Sequence, residues 1–201
     1  MNSIDAAELL IANGDWLAAR RVLELALLAS PHDHWLRSRL GATYYETGDY
    51  STALQHFEDA KEAAPKCPIA LWDYAGTLQQ LGRHETAVGI YEALLKRQVG
   101  WLTKDLCLQS RALAKGLIAD SQFRLSRSLD ALGRKEAADA AFLAHLHMRG
   151  PGCYSLYSLD MFPRRGSVLR LWRQRKKKGQ RAPAAISKRV LLPTASPKEF
   201  Q

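Results

Sequence analysis

The chain has 201 residues, 47% of them apolar and 24% charged, and a formal net charge of +9. That length can bury a sizeable core, and that composition excludes a wholly disordered chain, a collagen-like chain and a small disulfide scaffold. No apolar run approaches the roughly 18 residues of a bilayer-spanning helix. No Lys or Arg precedes Arg20, so neither a transmembrane segment nor a secretory leader is expected.

The body of the chain is periodic. Gly14, Gly48 and Gly82 recur at intervals of 34 residues, and Gly133 follows 51 residues after Gly82, one more interval plus an insertion of 17. Ala7, Gly41, Ala75 and Ser126 share one phase, and Ala19, Ala53, Ala87 and Ala138 share another. Leu23, Phe57, Tyr91 and Phe142 keep a third phase large. No proline falls between Pro68 and Pro151, which suits consecutive helices, because an interior proline costs about 3 kcal/mol.

The pattern predicts paired amphipathic helices in units at roughly 2–33, 34–67, 68–99 and 119–148, with an inserted helical segment at 100–118. Each glycine ends the first helix of a pair in a left-handed turn. Asp15 and Asp49 then stand as N-caps of second helices. Through the insertion, Leu106, Leu113, Leu117, Leu125, Leu129 and Leu132 keep mostly helical spacing. The insertion reads as a lengthened first helix of the fourth unit, capped by Thr103, with Gly116 a weak point at which it can break in two. In the fourth unit His145 and Lys135 stand where a small residue and an aromatic are expected, a polar drift that suits a last repeat with no successor.

The second unit resembles the tetratricopeptide repeat: Leu40-Gly41, Tyr44, Gly48, Tyr50, Ala53, Phe57, Ala60 and Pro65 all stand in phase. The resemblance covers roughly residues 2–148. It implies an all-α, right-handed superhelical solenoid of about four helix-turn-helix units, followed by a basic C-terminal extension. In that family the first helices line a concave groove that meets ligands. Matched by phase, the groove positions are Trp35, Arg39 and Tyr45 in the second unit and Trp72, Asp73, Gly76 and Gln79 in the third. Phe123, Arg124 and Arg127 follow in the fourth. Exposed aromatic and Arg side chains suit a binding hot spot; for Trp35 and Trp72 the competing reading is packing between helices. Some members clamp a C-terminal carboxylate with Lys, Asn and Arg. The matching positions here hold Ile4, Glu8, Arg39, Ile69 and Asp73, so that clamp is absent.

Beyond the Gly150-Pro151-Gly152 break the character changes. Residues 149–163 include Tyr154, Leu156, Tyr157, Leu159, Met161 and Phe162, an apolar covering segment. Two placements are open for it, in the groove or over the exposed end of the last repeat, and the second is favoured. From Pro163 onward 12 Lys and Arg face one acid, Glu199, so this part carries +11 and the remainder of the chain −2. Within the basic tail, residues 164–201, a short helix at 167–178 is expected to run into Arg173, Arg175, Lys176, Lys177, Lys178 and Arg181. Such a cluster suits phosphates or anionic lipid.

The function expected is a non-enzymatic adaptor or scaffold that binds a peptide or helix of another protein in its groove. The alternative is a nucleic-acid- or anionic-surface-associated factor that uses the tail. Cys67, Cys107 and Cys153 lie far apart and form no C-x-x-C, as reduced cytoplasmic thiols do. No catalytic constellation, phosphate loop or metal-ligand spacing stands out, so no cofactor and no metal are expected.

Overall fold

The computed structural model describes residues 3–97, 102, 108 and 110–157. Among them every regular element is a helix: α1 (Ser3–Ala12), α2 (Trp16–Ala29), α3 (His34–Glu46), α4 (Tyr50–Ala63), α5 (Pro68–Gln80), α6 (His84–Leu95), α7 (Arg111–Ala131) and α8 (Lys135–Met148). The architecture is the expected all-α solenoid of helical hairpins. The chain divides into two compact units at Ile90 and Tyr91, inside α6.

In the first unit each helix packs against the next from α1 to α5, and α3 also meets α5. The turns follow from the repeated glycines. Gly14, Gly48, Gly82 and, in the second unit, Gly133 have φ between 74° and 83°, which side chains with a Cβ rarely adopt. After Gly48 the Asp49 N–H bonds back to the Tyr44 carbonyl at 3.0 Å, and the Asp49 carboxylate accepts the Thr52 N–H at 3.1 Å, opening α4. Asp15 does the same for α2, and Asp33 accepts from Trp35 and Leu36 to open α3.

The small phase lets the helices close on one another. Ala7, Ala19, Ala53, Ala75 and Ala87 have no exposed surface, and Leu23 and Phe57 fill the space beside them. A Cβ on Gly41 would meet the Phe57 ring at 3.0 Å. Polar staples add to this packing. Arg20 on α2 donates to the Thr43 carbonyl at 2.8 Å and lies 3.9 Å from the Tyr44 ring centre. Arg37 on α3 donates to Asp59 on α4 at 2.6 Å.

In the second unit α7 packs against α8, with Ala138 and Phe142 fully buried. The long helix expected in the fourth unit starts at Arg111, where the Ser110 hydroxyl accepts the Leu113 N–H. Thr103, its expected cap, lies outside the described residues. The helix runs unbroken through Gly116. His145 is a core residue, not polar drift: it has no exposed surface and bonds through Nδ1 to the Ala119 carbonyl at 2.7 Å. After α8 the chain turns back at Gly150–Cys153, with the Cys153 N–H bonded to the Gly150 carbonyl.

Candidate binding faces

The first unit joins its first helices through the side chains at the expected groove positions. Arg39 on α3 pairs with Glu8 on α1 at 2.8 Å and lies 5.2 Å from the Trp35 ring centre. The Tyr45 hydroxyl accepts from Gln80 Nε2 on α5 at 3.0 Å, and its ring meets Tyr50 edge-on. Trp35, Arg39, Tyr45 and Asp73 are half-buried. Trp72 is 5% exposed and Gln79 9%, so both are packed into the helices rather than open to a ligand. A partly buried ion pair beside an indole and a tyrosine–glutamine bond thus form a row of contacts that joins α1, α3 and α5.

In the second unit, residues 153–157 of the covering segment lie along α7. The Tyr154 N–H donates to the Ala112 carbonyl at 3.3 Å. Asp120 accepts the Leu156 N–H at 2.8 Å and the Ser155 hydroxyl at 2.5 Å. Arg124 Nε donates to the Tyr157 hydroxyl at 2.6 Å, and the Tyr157 ring centre lies 4.3 Å from that of Phe123. Arg149 donates to the Tyr157 carbonyl. Gly116 is what lets the backbone in: a Cβ there would stand 1.7 Å from the Tyr154 carbonyl oxygen. Thus the contacts reach Phe123 and Arg124, two of the expected groove positions. Phe123 is 6% exposed beneath Tyr157. Arg127 remains exposed.

Burial also sets the charges here. Desolvation pushes the Asp120 carboxyl up to about 6, against the opposing pull of the Leu156 and Ser155 hydrogen bonds and the neighbouring Arg124 and Arg149. Desolvation pushes His145 down to about 4. Sequence reasoning singled out neither residue as functional; Gly116, an unexpected interior glycine, was the one visible signal of the close backbone approach.

The basic cluster Arg173, Arg175, Lys176, Lys177, Lys178 and Arg181 lies outside the described residues. So do the rest of the tail and Leu159, Met161 and Phe162. Among the described residues no group of three or more His, Cys, Asp or Glu could hold a metal. No described helix is long and apolar enough to cross a membrane.

With this geometry in view, comparison places the repeats. The family model for the tetratricopeptide repeat matches residues 10–68 and 44–101, so that stretch is built of tetratricopeptide repeats. Human Superkiller complex protein 3 is 34% identical over 76 residues, covering 38% of this chain and 5% of its own length. Tetratricopeptide repeat protein 37 of Xenopus laevis is 26% identical over 144 residues, 68% of this chain and 9% of its own length. The chain thus spans only a small part of these relatives. Among solved structures, MamA 41-end from Desulfovibrio magneticus RS-1 superposes with a TM-score of 0.58 at 16% identity, covering 73% of each chain. Another MamA structure reaches 0.55 at 15% identity over 91% of this chain and 96% of its own. At that identity the likeness is one of fold.

Proposed function

We propose that the chain is a non-enzymatic, cytoplasmic interaction scaffold that holds a peptide or helix of a partner protein on its first helices. The observation that carries this reading is the row linking α1, α3 and α5: Glu8 with Arg39, Arg39 over Trp35, and Tyr45 with Gln80. Trp35, Arg39, Tyr45 and Asp73 act as contact residues of the first unit, and Arg127 with Arg124 of the second. Trp72, Gln79 and Phe123 are buried and stand behind these as packing residues. The test is capture from native cell extract by the full chain and by its Trp35→Ala and Tyr45→Ala variants, with and without nuclease. A protein captured by the parent chain, resistant to nuclease and lost in either variant, supports the scaffold.

A second reading is favoured by the charge distribution, +11 from Pro163 onward against −2 elsewhere. In it the tail cluster binds phosphate-rich surfaces, nucleic acid or anionic lipid, and the repeats are accessory. Capture abolished by nuclease and unchanged in the Trp35 and Tyr45 variants moves the function to nucleic acid.

A further inference from the structure

The segment on α7 is held by polar and backbone contacts together with the Tyr157 ring on Phe123. Its large side chains Tyr154 and Leu156 are 56% and 39% exposed. The receiving face is costly for a permanent cover. It buries a carboxylate at Asp120, 2% exposed, and it places glycine, a poor helix former, inside a helix of 21 residues. Apolar side chains would cover the same face without either cost.

What the face does well is read a backbone, here one that bends at Leu156. Asp120 takes one backbone N–H and one hydroxyl, Gly116 admits a carbonyl, and Arg149 donates to another carbonyl. Phe123 and Arg124 receive a tyrosine ring and its hydroxyl. None of these contacts depends on the segment being covalently attached. They ask only for a hydroxyl residue with a tyrosine two positions later.

We propose that the face formed by Gly116, Asp120, Phe123 and Arg124 is a docking site for a partner segment carrying a hydroxyl residue and, two residues on, a tyrosine, and that residues 154–157 occupy it as an intramolecular stand-in. The proposal rests on the scaffold reading and gives it a ligand chemistry and a built-in competitor.

The probe is a fluorescein-labelled peptide of residues 152–157 bearing Cys153→Ser, titrated into the full chain and followed by anisotropy. The double variant Ser155→Ala, Tyr157→Ala loses the side-chain anchors of its own segment but keeps the α7 face. It is expected to bind the probe at least tenfold more tightly than the parent chain. Adding Gly116→Ala, a change that favours the helix, is expected to cost at least tenfold by filling the space of the carbonyl. Equal affinity of the parent and the double variant, or binding indifferent to Gly116→Ala, overturns the proposal. Hydrogen exchange on the parent chain decides the question without any variant. The Leu156 amide is expected to exchange at least a hundredfold faster than the amides of Leu117 and Phe123; equal rates make the segment a permanent part of the fold and overturn the proposal. Failure here, with capture still lost in the Trp35 and Tyr45 variants, leaves the scaffold standing and removes only this site.

Discussion

Ala53 has no exposed surface, and its phase is alanine in all four units. The three added carbons have nowhere to go, so Ala53→Leu is expected to cost about 1 to 3 kcal/mol, read as a lower Tm in a thermal melt. An unchanged Tm would place the residue away from the helix contact. Asp120 and His145 make a pH prediction in which two buried groups oppose each other. Asp120, raised to about 6 from a usual value of about 4, favours the folded chain when protonated. Its contribution is complete below about pH 4 and is lost as pH rises through 6. His145, lowered to about 4 from about 6.5, favours the folded chain when neutral. Its contribution is present above about 6.5 and is lost as pH falls through 4. Each displacement corresponds to about 3 kcal/mol at 1.36 kcal/mol per pKa unit, so between pH 4 and 6 the two slopes nearly cancel. Arg124 and Arg149 face Asp120, and Arg149 also faces His145. Asp120→Asn leaves the histidine unopposed, and its Tm should fall progressively below that of the parent chain as pH drops from 7 to 4. His145→Gln should show the reverse trend. A Tm difference constant across this range for both variants contradicts the assignment.

Helix starts are where single side chains decide an element. The Asp33 carboxylate takes the Trp35 and Leu36 N–H groups at 2.8 and 3.2 Å, and so fixes both the first turn of α3 and the placing of Trp35. Asp33→Ala is expected to cost about 1 kcal/mol, a Tm lower by roughly 2–4 °C for a chain of this size, and to weaken partner capture through Trp35. A variant that loses stability but captures normally would separate α3 capping from binding. The paired helices were legible from sequence because their requirements are local and repeat: a positive φ at Gly48, a cap at Asp49, a missing side chain at Ala53. The α7 face was not legible in the same way. Asp120 and Ser155 stand 35 residues apart, and neither residue type announces the other. The glycine that joins them read as a helix weakness, because its reason is a backbone from elsewhere in the chain. His145 likewise read as surface drift, since only the packing of α7 on α8 puts the Ala119 carbonyl within its reach. Trp72, Gln79 and Phe123 were placed on the right helices, but phase alone does not tell a half-buried contact residue from one packed beneath it.

In a stack of helical pairs each pair touches mainly its neighbours. On the proposed scaffold reading, contact with a partner is spread over rows of side chains, and the charge of the whole molecule bears on what arrives first. With −2 up to residue 162 and +11 beyond it, the long-range field is that of the tail, though at physiological salt it reaches only about 8 Å. The tail and the repeats therefore differ in their response to salt. Six basic residues on phosphates give a log-log salt slope of about −5 for binding to duplex DNA. Replacing Arg173, Arg175, Lys176, Lys177, Lys178 and Arg181 by Gln in the full chain should make that slope shallower by about 5. Contacts made by Trp35 and Tyr45 are aromatic and neutral, so capture through them should depend little on salt and should survive the six replacements. A slope that keeps its steepness after replacement places the phosphate contacts on other basic residues. Partner capture lost together with the slope makes the tail the primary attachment and the aromatic row a secondary one.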